Sequence, residues 1–253
     1  MHFLRVSCAL AGLLALHAGC AKGMSSGDGS DTGDDTTDGT GDGTGDGIDQ
    51  PDASVIDRPD AAGHQDPPDA GDTGGGEVTI THSNSMALEA STGVSCQSGF
   101  GDKKNSWYRL FDLPAMGITG AVDVDQVTFG VQEANTGGGS MAVTVKLHRL
   151  QGDFVVANLT ELGTAKATVP DETLTLVDLP LTATVPAGAT LVAEITVPNG
   201  EVRGNYFFPG ANSAGQTGPT YVKSECGGPQ PEDAADIGFP DFHLVLSVHG
   251  VER

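Results

Sequence analysis

The chain has 253 residues and a formal net charge of −22, from 34 acidic and 12 basic side chains. An acidic balance of this size argues against nucleic acid and anionic lipid as partners, because both need a basic footprint. The charge is unevenly placed: residues 25–76 hold 14 Asp and a single Arg, a net of −13, and residues 77–253 carry 20 acidic and 9 basic side chains.

Residues 1–19 read as a secretory leader. Arg5 supplies a positive start, Val6 to Leu16 is a short run rich in Leu and Ala, and small residues precede Cys20. The run is well short of the roughly 20 apolar residues that span a bilayer. The sequence LHAGC resembles the lipobox of bacterial lipoproteins through Ala18, Gly19 and Cys20. It departs at His17, where that family usually carries Leu, so that Leu16 stands one place early. The resemblance implies that Cys20 is lipidated and holds the chain on a membrane of the bacterial cell envelope, at the outer membrane or cell surface. The alternative is an ordinary signal peptide cut nearby, with Cys20 a free thiol.

Residues 20–76 are expected to be the anchor cysteine followed by a disordered acidic linker. Gly, Asp, Thr and Pro dominate, with almost nothing to bury, so ordering entropy has no offset. Such a chain averages about 40 Å end to end, and charge repulsion extends it further. Recurrent Asp and Gly raise the alternative of calcium loops. Asp34 to Gly39 has Thr at the third ligand position and no closing Glu at the twelfth, so the tether is the better reading.

From Glu77 the texture changes. Residues 77–253 form one domain-sized unit in which Val, Ile, Leu and Thr alternate with polar residues between Gly, Pro and Asn breaks. The pattern predicts strands near 77–83, 107–113, 124–133, 141–150, 162–169, 173–179, 190–197, 205–209, 220–223 and 242–250. In the fourth, Met141, Val143, Val145 and Leu147 face one way and Ala142, Thr144, Lys146 and His148 the other. In the last, Phe242, Leu244, Leu246 and Val248 oppose His243, Ser247 and His249. Met86 to Thr92 is the one candidate for a helical turn. Short strands with Gly and Pro turns predict an all-β fold, an antiparallel β-sandwich of jelly-roll type.

Of four cysteines, Cys8 leaves with the leader and Cys20 takes the lipid, so Cys96 and Cys226 are expected to pair as a disulfide in an exported domain. Catalytic signals are weak. Ala211 to Gly215, ANSAG, lacks the first Gly of a nucleophile elbow and no helix follows it. Asp123 and Asp125 read as two solvated side chains on one strand face rather than a pair converging on a glycosidic bond. His243 and His249 lie about 20 Å apart along one strand, and no metal-ligand spacing occurs, so neither metal nor cofactor is expected. Binding has more to recommend it. In SWYRLF, Trp107 and Phe111 share one face and Tyr108 the other, so Trp107 or Tyr108 could offer an aromatic platform to a ligand; the competing reading puts Trp107 in the core. Tyr206, Phe207 and Phe208 pose the same choice, and Asp102, Lys103, Lys104 and Asn105 form a polar loop just before Trp107.

The stretches VSCQSGFGDKKNSWYRLFDL, GITGAVDVDQVTFGVQEANTGGG, VPAGATLVAEITVPNG, SAGQTGPTYV and IGFPDFHLVLSVHG resemble a β-sandwich accessory module found beside secreted bacterial proteases and other extracellular hydrolases. That resemblance implies a non-catalytic attachment or binding role, with a polysaccharide or an envelope component as ligand; a structural or assembly role beside another envelope protein is the alternative. Among residues 1–253 no catalytic domain is expected beside the module.

Overall fold

The computed structural model describes residues 20–22 and 75–253. The leader and the acidic segment therefore lie outside the described residues, as do the residues leading into Cys20. The strands are β1 (Cys20–Lys22), β2 (Glu77–Thr81), β3 (Val94–Ser98), β4 (Gly101–Asp102), β5 (Asn105–Asp112), β6 (Val122–Asn135), β7 (Ser140–Leu150), β8 (Leu159–Pro170), β9 (Glu172–Val185), β10 (Thr190–Val197), β11 (Tyr206–Pro209), β12 (Ala211–Asn212), β13 (Thr220–Ser224), β14 (Glu232–Asp233), β15 (His243–Leu244) and β16 (Leu246–Glu252). Their pairings are antiparallel, as expected for an all-β sandwich.

One sheet runs β14-β13-β5-β10-β7-β8. The other is built on β6, which pairs β9 along one side and β16 and then β11 along the other, with β2 beyond β16. The core lies between them. Met141, Val143, Val145 and Leu147 of β7 are buried in it, as are Leu244, Leu246 and Val248 of the last two strands. The period-2 pattern thus places these strands as anticipated.

In β6 the alternation changes phase: Val122 and Val124 are buried, then Val127, Phe129 and Val131. The register shifts between Val124 and Gln126 opposite β9, which is a bulge that returns the apolar face to the core. Pro180 of β9 falls at that same shift, where its missing N–H costs little. Where β6 hands over from β16 to β11, Gly130 and Gly210 meet. A Cβ on Gly210 would stand 2.6 Å from the Gly130 Cα, so only glycine fits.

The structure corrects the sequence reading in several places. Met86 to Thr92 forms no helix; the backbone makes a turn at Ala90 and Ser91, with Ser91 at φ 64°. Strands β3, β4, β12 and β14 were not anticipated, and β9 continues past Leu179 to Val185. Cys20–Lys22, read from the sequence as the anchor cysteine and the first residues after it, forms β1, whose backbone pairs with β3. Cys96 and Cys226 form the expected disulfide, with Cα atoms 5.8 Å apart across a sequence separation of 130.

Candidate functional site

The outward face of the six-stranded sheet carries the polar side chains that the core excludes, in rows set by the antiparallel register. One row runs Tyr221, Tyr108, Glu194 and Lys146 across β13, β5, β10 and β7. The neighbouring row runs Lys223, Ser106, Thr196 and Thr144. Successive rows are about 7 Å apart, the span of two residues along a strand.

The first row is knitted together. The Tyr108 hydroxyl donates to Glu194 Oε1 at 3.0 Å, and His148 Nε2 stands 3.0 Å from Glu194 Oε2. Burial pushes the Glu194 carboxyl up, but the hydrogen bonds from His148 and Tyr108 outweigh it and hold the group below the usual range. Burial, with the Glu194 charge beside it, pushes the Tyr108 hydroxyl well up. The connection after β7 arches over this row and sets Phe154 edge-on to both tyrosines, with ring centroids 5.7 Å from Tyr108 and 4.8 Å from Tyr221. Tyr108 is buried beneath this cover and His148 is buried beside Glu194, whereas Tyr221 and Phe154 stay half-exposed.

The second row opens into a cavity of about 360 Å³ lined by Lys104, Ser106, Lys223, Ser224, Glu225, Gly227, Gly228 and Pro229. Its far wall, Ser224 to Pro229, contains Cys226, so the disulfide to Cys96 fastens that wall to β3. Ser106 Oγ donates to Thr196 Oγ1 at 2.9 Å, which leaves its lone pairs available as acceptors. Ser224 Oγ accepts from the Cys226 N–H at 3.3 Å, which leaves its own proton available as a donor. A volume of this size falls within the range of small-ligand pockets. A second hollow of about 180 Å³, between Thr92, Val94, Phe239 and Phe242, is mainly apolar.

The proposed platform at Trp107 is corrected. Trp107 is fully buried, lies 5.7 Å from Phe207 between ring centroids, and donates through Nε1 to the Val94 carbonyl. Its face of β5 points into the sandwich, so it offers nothing to a ligand. Tyr108 does point outward, as the alternation requires, but its ring is 2% exposed under Phe154. Its strand partner Tyr221, which the sequence reading passed over, is the accessible aromatic of that row. Of the loop before Trp107, Lys104 lines the cavity, Lys103 pairs with Glu201 at 2.7 Å, and Asp102 and Asn105 turn inward. Phe207 and Phe208 are buried.

The weaker catalytic signals have structural partners. Ser213 donates to Glu89 Oε2 at 2.8 Å, and Asn212 donates to the Ser85 and Ala87 carbonyls, so ANSAG is an anchored turn. Asp123 accepts from Thr184 and pairs with Arg253. The histidines are dispersed: His82 bridges Leu110 and Thr217, His243 accepts from the Gly215 N–H, and His249 meets Ser247. Among the described residues no three His, Cys, Asp or Glu side chains converge.

No protein-family model matches the chain, and no curated protein matches its sequence. Among solved structures, the chain is similar to the cysteine protease and lectin-like domains of Cwp84, a surface-layer-associated protein of Clostridium difficile, at 14% identity and a TM-score of 0.41. The match covers 60% of this chain and 33% of that one.

Proposed function

We propose that this chain is an exported protein of the bacterial cell envelope, lipid-anchored through Cys20, whose β-sandwich binds polysaccharide without catalysing a reaction. The observation that carries the reading is the cavity between Lys104 and Lys223, one row from the half-exposed Tyr221 and Phe154. It joins hydrogen-bonding groups of both senses to an apolar ring surface, the combination that a sugar with polar edges and an apolar face requires. The disulfide supports export, because such bonds persist in oxidising compartments. The LHAGC sequence supports the anchor.

Retention of the full chain carrying Cys20→Ser on a panel of immobilised polysaccharides tests the reading. Retention that Tyr221→Ala removes and Trp107→Phe leaves intact is expected. Passage of the protein through every polymer without retention would overturn it.

A second reading, docking of another envelope protein, has one observation in its favour. Phe100 and Val202 are 77% and 98% exposed, at loop tips that the Asp102–Asn205 and Gly200–Asp102 backbone hydrogen bonds tie side by side. Substituting both with Ser and following co-purification of envelope proteins separates this role from sugar binding.

A further inference from the structure

We infer that the ligand of the Lys104–Lys223 cavity is an acidic saccharide, whose carboxylate sits between the two ammonium groups. This rests on the polysaccharide reading above and names the chemistry of its ligand.

The argument starts from charge. Residues 77–253 carry 20 acidic and 9 basic side chains, so a lysine here has abundant carboxylates to pair with. Lys103 takes Glu201, Lys146 takes Glu161 and Arg253 takes Asp123. Lys104 and Lys223 enter no ion pair among the described residues, a property they share with Arg109, Arg149, Lys166 and Arg203; what sets them apart is that they are the two basic residues lining one cavity. Two ammonium groups against the single carboxylate of Glu225 leave the hollow with a positive excess, which raises the local potential for an anion and offers it charge-assisted hydrogen bonds. Ser224 adds a hydroxyl donor on the same wall.

The remaining polar groups suit the rest of a sugar. Glu225 lines the cavity without pairing with either lysine, and Ser106 keeps its acceptor lone pairs, so both can receive sugar hydroxyls. An inorganic anion would use the lysines and leave these acceptors idle. The overall negative charge sets a further limit: a polymer with an anion on every residue is repelled by the surface beyond the cavity. The fitting ligand is therefore an acidic sugar within a largely neutral chain.

The test uses three polysaccharides with sparse uronic acids, each alongside the same polymer after carboxyl reduction, and the full chain carrying Cys20→Ser. Tighter retention on each acidic polymer than on its reduced counterpart is expected, weakening as salt is raised. Lys104→Ala and Lys223→Ala should each cost on the order of tenfold in affinity, and the doubly substituted Lys104→Arg/Lys223→Arg protein should keep most of it. Equal retention on acidic and reduced polymers, or retention indifferent to both alanine substitutions, overturns the acidic-sugar inference while leaving polysaccharide binding in place. No retention on any of the polymers overturns both.

Discussion

The Trp107 indole donates through Nε1 to the Val94 carbonyl at 2.8 Å, inside the sandwich. The bond ties β5 to the start of β3, the strand that carries Cys96. Trp107→Phe leaves the Val94 oxygen without its donor and is expected to cost about 1–3 kcal/mol, and Trp107→Ala about 3–5 kcal/mol. Denaturant unfolding followed by far-ultraviolet circular dichroism gives both values. Because this is the sole tryptophan, the native protein should emit at short wavelength and resist acrylamide quenching. Emission at the wavelength of solvated indole would contradict the burial.

The strand pattern and the core were legible from the sequence because period-2 alternation follows directly from the pleat. Met141 to Leu147 and Leu244 to Val248 point where their spacing puts them. Trp107, Phe111 and Tyr108 divided correctly between faces, but alternation does not say which face is inside. What was hidden depended on long-range register. Nothing near Tyr221 or Lys223 in the sequence shows that they pair with Tyr108 and Ser106, more than a hundred residues away. The short strands β4, β12 and β14 carry too few residues to show any period.

Arg109 belongs to the core-facing side of β5 and is fully buried without a carboxylate. Its Nε and Nη2 donate to the Leu244 carbonyl, and Nη1 donates to the Gly218 carbonyl at 2.8 Å and to Gln216 Oε1 at 2.5 Å. Burial pushes the guanidinium down to about 9, which leaves it charged at neutral pH. Arg109→Met preserves much of the volume but strands two carbonyls, for an expected loss of about 2–4 kcal/mol. Arg109→Lys should recover little, since a point charge cannot span three acceptors. Urea midpoints of the two variants check this; a fully stable methionine variant would mean that the carbonyls find other donors.

Asp102 gives the stability a pH dependence. It is 2% exposed, accepts from the Phe207 N–H at 2.6 Å and from Ser95 Oγ at 3.2 Å, and burial raises its carboxyl to about 7 despite those bonds. The folded state therefore holds this proton over a range in which the unfolded chain, near 3.8, has released it. Stability from this group is complete below the unfolded value and is lost as pH rises through about 7. Between pH 5 and pH 8 the loss should be about 2–3 kcal/mol. Asp102→Asn keeps an acceptor for Phe207 and cannot titrate, so the difference between the two proteins isolates the effect. Equal pH dependence in both would remove Asp102 as its source.

The anchor is testable apart from the fold. Two or more acyl chains hold a protein stably on a membrane where one does not, at about 0.8 kcal/mol per buried methylene. Cys20→Ser is expected to move the protein from the membrane fraction to the soluble fraction with its unfolding midpoint unchanged. An undiminished membrane fraction would rule out lipid as the attachment.

The disulfide links stability to the proposed site. Cys96 sits in β3, and Cys226 lies just beyond β13 between Glu225 and Gly227, which line the cavity. Closing a loop of 130 residues stabilises the folded state by about 5 kcal/mol in the chain-entropy model, with about 2–5 kcal/mol the usual measured range. The Cys96→Ala/Cys226→Ala protein should lose stability in that range and should also bind more weakly at temperatures where it remains folded. The second loss follows because Glu225 to Pro229 is then held mainly by backbone contacts, such as Glu225 N–H to the Lys104 carbonyl and Gly227 N–H to the Ser224 carbonyl. Lys104→Ala should weaken binding with little change in stability, so the two variants separate the frame of the cavity from its charge. Retention that survives disulfide removal at full strength would place the ligand elsewhere on the sandwich.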